Sequence, residues 1–140
     1  MSTPNPTDLR AILGDTRTVA VVGASDNPAR PSNDVFGYLL RHSNFELYPV
    51  NPNVDVVEGI KAYPTLADLP TVPDMVDVFR HHEDLPAVLD EVLELSPLPK
   101  YLWLQQGLWH EQVAQRARAA GLTVLMDRCL KVDYARFGPG

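Results

Sequence analysis

The chain has 140 residues, 45% of them apolar, which suffices for one domain with a continuous core. Its 12 Lys and Arg against 18 Asp and Glu give a formal charge of −6, which excludes a nucleic-acid partner held by phosphate-backbone electrostatics; any phosphate must be gripped locally. A single cysteine, Cys129, excludes an internal disulfide framework and multi-cysteine zinc patterns, and with no signal-like leader and no stretch of membrane-spanning length a cytoplasmic protein away from the membrane is expected.

The first 15 residues form a leading segment, polar at its start, with a short helix over residues 8–13 behind Thr7 as cap and Gly14 as stop. The β-branched run at residues 18–22, ending in Gly23, has the character of a strand buried on both faces. After a polar loop over residues 24–31, Ser32 is expected to cap a helix over residues 33–41. A second strand spans residues 46–50, and its internal Pro49 points to the strand end or to an edge position. Residues 54–63 read as an irregular crossover and residues 65–70 as one helical turn ended by proline. Then come a strand at 75–79, a helix at 85–95, a strand at 101–104, a helix at about 109–120 ended by Gly121, and a strand at 122–126. This alternation predicts an α/β fold, a Rossmann-like doubly wound sheet of about five mainly parallel strands with helices on both faces. Residues 1–140 are expected to make a single domain, its tail from 127 lying over the sheet or in an oligomer contact.

In such a sheet, ligands collect outside the carboxyl ends of the strands where the strand order reverses. Polar residues gather at these ends: Gly23-Ala24-Ser25, Val50-Asn51-Pro52-Asn53, Phe79-Arg80-His81-His82, Gln105-Gln106-Gly107 and Asp127-Arg128-Cys129. The stretch from Gly23 to Ser32 offers backbone N–H groups and a helix start to an anion, with Ser25 and Ser32 adding hydroxyls and Arg30 a fixed charge. Against a dinucleotide, only Gly23 of the three fingerprint glycines is present, Ser25 and Pro28 standing at the later positions. The second strand also ends in Val50-Asn51-Pro52 where an acidic residue would hold ribose hydroxyls.

The remaining candidates are weaker. His81-His82-Glu83 is a poor chelate with no matching Cys or His pair elsewhere, so no metal is expected. Asp90, Glu91 and Glu94 fall on a solvated helix face, and no paired carboxylates suggest acid–base work. Tyr101, Trp103 and Trp109 are expected in the core or in an oligomer contact. Cys129 is expected to be a small buried residue; the alternative is a thiol reached by a ligand sulfur and open to mixed-disulfide formation.

Taken in order, Val21-Val22-Gly23-Ala24-Ser25, Asn27-Pro28, Arg30-Pro31-Ser32, Tyr48-Pro49-Val50-Asn51-Pro52, Val76-Asp77-Val78-Phe79-Arg80, Trp103-Leu104-Gln105 and Met126-Asp127-Arg128-Cys129 make the chain resemble the stand-alone CoA-binding protein family. That family is similar to the CoA-binding domain of the succinyl-CoA synthetase α subunit and of ADP-forming acyl-CoA synthetases. The resemblance implies coenzyme A or acyl-CoA as ligand. Gly23, Ala24, Ser25, Arg30, Pro31 and Ser32 would then meet its phosphates, Val50, Asn51, Pro52, Phe79 and Arg80 would frame adenosine and ribose, and Gln105 would line the pantetheine path. The synthetases carry their phosphorylated histidine in a further domain with no counterpart in these residues, so non-catalytic binding is expected, with a homo-oligomer or an acyl-CoA enzyme as partner. The rival readings are a nicotinamide-dependent oxidoreductase on the same fold and an interaction subunit with a vestigial crevice.

Overall fold

The computed structural model describes residues 4–139; the first three residues of the polar leading segment and the last residue of the tail lie outside this range. Helix α1 (Pro6–Asp15) is capped by Asn5 rather than Thr7: the Asn5 side chain accepts the Asp8 N–H at 2.8 Å, and the Asp8 carboxylate accepts the Asn5 N–H at 3.3 Å. Gly14 does not end it; the helix runs on to an extended Thr16, because a glycine inside a helix weakens it without breaking its hydrogen bonds. Strand β1 (Thr18–Val22) leads to α2 (Pro31–His42), whose cap position is Arg30 and not Ser32, with no side-chain cap bond. Pro31 at the first helical position needs no N–H partner and pulls the start forward, which places Ser32 inside the first turn.

Strand β2 (Glu46–Val50) is followed by the expected irregular crossover, now seen as a small hairpin of β3 (Val56–Val57) and β4 (Ile60–Lys61), and by a single 3₁₀ turn, Leu66–Asp68. Next come β5 (Met75–Val78), α3 (Leu85–Leu93), β6 (Tyr101–Leu104), α4 (Glu111–Ala119), β7 (Thr123–Leu125) and α5 (Leu130–Phe137). The helix expected to begin at Trp109 begins two residues later because His110 Nδ1 accepts the Val113 N–H and caps it. The tail forms α5, packed on α1 and α2 over the sheet.

The five long strands form one parallel sheet in the order β2-β1-β5-β6-β7, a Rossmann-like α/β arrangement. β2 is an edge, as Pro49 suggests. The Pro49 carbonyl accepts the Tyr63 N–H on the side away from β1, so the missing proline N–H falls on that side too and costs the β1–β2 ladder nothing. Alternate strand residues divide the core. Ala20, Val22, Val76, Val78, Leu102 and Leu104 face α3 and α4 through Leu85, Leu89, Val113 and Ala117. Val19, Val21, Met75, Trp103 and Leu125 face α1, α2 and α5 through Leu13, Phe36, Leu39 and Leu130.

One residue breaks this apolar pattern. Asp77 on β5 stands between Val21 of β1 and Trp103 of β6, is 0% exposed, and has no hydrogen-bond partner for either carboxyl oxygen among the described residues. Burial raises its pKa well above the ordinary carboxylate value, so the native side chain keeps its proton to higher pH than the unfolded chain does. The unfolded chain loses that proton near pH 4, so the stability that Asp77 contributes is intact below that value. It is lost as pH rises towards the folded value, by up to about 1.4 kcal/mol per pH unit. Asp77→Val is therefore expected to be more stable than the parent at neutral pH, by a margin that widens between about pH 4 and about pH 7 in denaturant unfolding. A margin independent of pH would mean that Asp77 ionises alike in both states.

Candidate functional site

The chain leaves β1 towards β2 on one side and returns to β5 on the other, so the connections above these two strands diverge and a crevice opens at their carboxyl ends. A cleft of about 900 Å³ lies there, towards the upper end of the roughly 300–1,000 Å³ usual for small-molecule sites. Gly23, Ser25, Arg30, Pro31 and Ser32 line it from the β1–α2 connection, Asn51 and Pro52 from the end of β2, Phe79 and Arg80 from β5, and Gln105 from β6.

Two expected site residues are not on its surface. Ala24 is buried against the α1–α2–α5 layer and Val50 against the α3–α4 layer. Their side chains follow the inward turns of the strand ends, and only their carbonyls serve the site: Val50 O accepts the Gly23 N–H at 2.8 Å, and Ala24 O accepts Asn51 Nδ2 at 2.8 Å. Conversely, Asn53, Asp34, Val35, His81, Gln106, Leu108 and Cys129 also line the cleft. Asn53, His81, Gln106 and Cys129 lie in the strand-end strings already singled out. Asp34, Val35 and Leu108 carried no signal beyond proximity to a helix start or a turn. Cys129 is half-buried at the cap position of α5 and opens on the cleft, so the expected small buried residue is buried only in part.

The β1–α2 connection is held by amides. Asn33 Nδ2 donates to Ser25 O at 2.9 Å, Asn27 Oδ1 accepts the Ala29 N–H at 2.9 Å, and Ser25 Oγ accepts the Asn27 N–H at 3.0 Å. Asn51 pins the same loop from β2 and accepts the Asn53 N–H with its Oδ1. α2 has no side-chain cap, and its first turn lines the cleft through Pro31, Ser32 and Asp34, with Ser25 on the same wall. Arg30 is exposed and pairs with no carboxylate among the described residues, whereas Arg80 makes a half-exposed ion pair with Asp84 at 3.4 Å. This donor set of hydroxyls, a helix start and guanidinium groups suits phosphate oxygens. His82 stacks on His110 with ring centroids 4.8 Å apart. Among the described residues no group of His, Cys, Asp and Glu is arranged to hold a metal, and no helix is long and apolar enough to cross a membrane. Trp103 is fully buried, while Trp109 is largely exposed and outside the core.

A family model described as a CoA binding domain matches residues 17–135. The uncharacterized protein YneT of Bacillus subtilis is 39% identical over 135 residues, which cover 96% of this chain and 98% of YneT. The ADP-forming acetate–CoA ligase II of Archaeoglobus fulgidus is 34% identical over 77 residues, 54% of this chain but 11% of the ligase. A solved Thermus thermophilus protein, cell-free ID.343, superposes with a TM-score of 0.89 at 38% identity, covering 96% of this chain and 99% of that one.

Gly23 has a structural reason to be glycine that is separate from any ligand. Its φ is +85°, and a Cβ built there would lie 1.9 Å from the Phe79 carbonyl oxygen and 3.2 Å from Arg80 Cδ. Backbone strain and overpacking act together, so Gly23→Ala is expected to cost roughly 2–5 kcal/mol of stability. Denaturant unfolding checks this; a variant as stable as the parent would show that β1 and β5 separate easily at this end.

Proposed function

The chain belongs to the CoA-binding domain family, and on that premise we propose that it binds coenzyme A, or an acyl-CoA, reversibly in the strand-end cleft without catalysing a reaction on it. The observation that carries this reading is the cleft at the β1/β5 switch, where an α2 start without a side-chain cap, the Ser25 and Ser32 side chains, and the guanidinium groups of Arg30 and Arg80 meet in one concavity. Gly23, Ser25, Arg30, Pro31 and Ser32 would hold the phosphates. Asn51, Pro52, Phe79 and Arg80 would border the nucleoside, and Gln105 the pantetheine arm. Bound coenzyme A supplies a thiol as its reactive group.

The nicotinamide reading is the poorer one on this geometry. The residue that would answer to the ribose-binding carboxylate lies at the end of β2, and Asn51 there is committed to Ala24 O and the Asn53 N–H. A cytoplasmic location, and a homo-oligomer or an acyl-CoA enzyme as partner, accord with this reading as parts of the same proposal.

Calorimetric titration is expected to show saturable binding of coenzyme A, with a rise in Tm, and far weaker binding of NAD, because a ligand that binds only the native state stabilises it by mass action. Arg30→Ala and Arg80→Ala should each cost roughly 1.5–3 kcal/mol of affinity, the range for charge-assisted hydrogen bonds. The loss at Arg80 should fall at the lower end, since its pairing with Asp84 is given up on binding. NAD binding as tight as coenzyme A would overturn the proposal.

A further inference from the structure

We propose that the corner where β6 meets α5 is a thiol-exchange end of the cleft, at which Cys129 forms a reversible mixed disulfide with coenzyme A beside the buried amide of Gln105. The inference rests on the coenzyme A reading above and adds to it a redox-dependent, covalent form of occupancy.

Two independent observations meet at this corner. The first is the thiol itself, half-buried and on the cleft wall. The second is Gln105, which is 5% exposed and lines the same cleft. Its Oε1 accepts the backbone N–H of Leu130, the residue after Cys129, at 3.1 Å, while its Nε2 has no hydrogen-bond partner among the described residues. With the oxygen committed, the amide plane is set and the NH₂ group remains as a donor without a protein partner on a residue that lines the cleft. The amide carbonyls of a pantetheine arm are acceptors of that kind, and the arm ends in a sulfur.

The thiol is also held in place. Trp103 Nε1 donates to Arg128 O at 2.8 Å, the Arg128 guanidinium grips Asp133 at 2.6 and 3.0 Å, and the Asp133 N–H donates to Cys129 O at 3.0 Å. The backbone is therefore fixed on both sides of the sulfur, which favours reaction with a partner delivered to one place.

The step balances as thiol–disulfide exchange. The Cys129 thiolate attacks one sulfur of coenzyme A disulfide, a Cys129–CoA disulfide forms, the original S–S bond breaks, and one coenzyme A thiolate leaves and takes up a proton. A thiol reductant reverses it by a second exchange. Binding of the nucleotide half makes the attack effectively intramolecular, whereas a merely accessible cysteine reacts alike with any small disulfide.

Intact-mass measurement on the folded chain, incubated with coenzyme A disulfide or with glutathione disulfide at equal concentration, tests this. The expected result is one adduct of coenzyme A mass, formed at least about tenfold faster than the glutathione adduct. It should be slowed by adenosine 3′,5′-bisphosphate, reversed by reductant and absent in Cys129→Ser. Gln105→Leu should bring the two rates closer together. Equal rates in the parent protein, or reversible coenzyme A binding by calorimetry with no adduct, would overturn the inference and leave the binding reading standing. Absence of coenzyme A binding would overturn the binding reading and this one with it.

Discussion

The close passage of the β1–α2 turn over the end of β5 is the constraint on which the rest of the structure depends. Gly23 crosses so near the Phe79 carbonyl that no side chain fits, and its N–H is tied to Val50 O of β2 on the other flank. Three strand ends are thereby locked together at one point. The first turn of α2 is set beside the ends of β5 and β6 instead of being held off by side-chain bulk. A parallel sheet supplies a crevice at its switch point in any case. The glycine determines how close the walls of this one come.

Around that point, polar side chains serve as struts. Asn33 and Asn51 hold the β1–α2 loop from two directions. Asp127, at φ +55°, accepts the Gly107 N–H and donates its own N–H to Leu108 O, so the loop after β6 is clasped to the segment that begins α5. Gln105 repeats the device from β6 to Leu130. The struts pair backbone groups of the loops at the cleft, buried at Leu130 and part-buried at Ser25 and Ala24. The loops around the cleft are held in place by these bonds, an arrangement of the kind that lowers the ordering cost of binding.

The two layers of the core are unequal in chemistry. The layer under α3 and α4 is aliphatic throughout, and the one under α1, α2 and α5 contains Trp103, Asp77 and the segment around Cys129. Trp103 spends its single N–H on the Arg128 carbonyl, and Arg128 in turn is spent on Asp133. Arg128, although it stands just past a strand end, is thus engaged within the protein. Arg30 and Arg80 remain as the guanidinium groups on the cleft.

The strand and helix order and the strand-end residues that line the switch-point cleft were legible in the sequence, because each is written in local signals. β-branched runs mark buried strands, helical spacing marks the faces that cover them, and polar residues just past a strand can only stand at its carboxyl end. Element ends were less legible: the caps proved to be Asn5, Arg30 and His110 because backbone geometry and competing side-chain acceptors, not residue type alone, choose them. Only the tertiary structure decided that Ala24 and Val50 turn inward, that Asp77 is buried without a partner and that Cys129 opens on the cleft. The physical reason is the same for all three. Which way a side chain points at the end of a strand depends on what packs across it, and those neighbours come from β2, β5 and α5, far away along the chain.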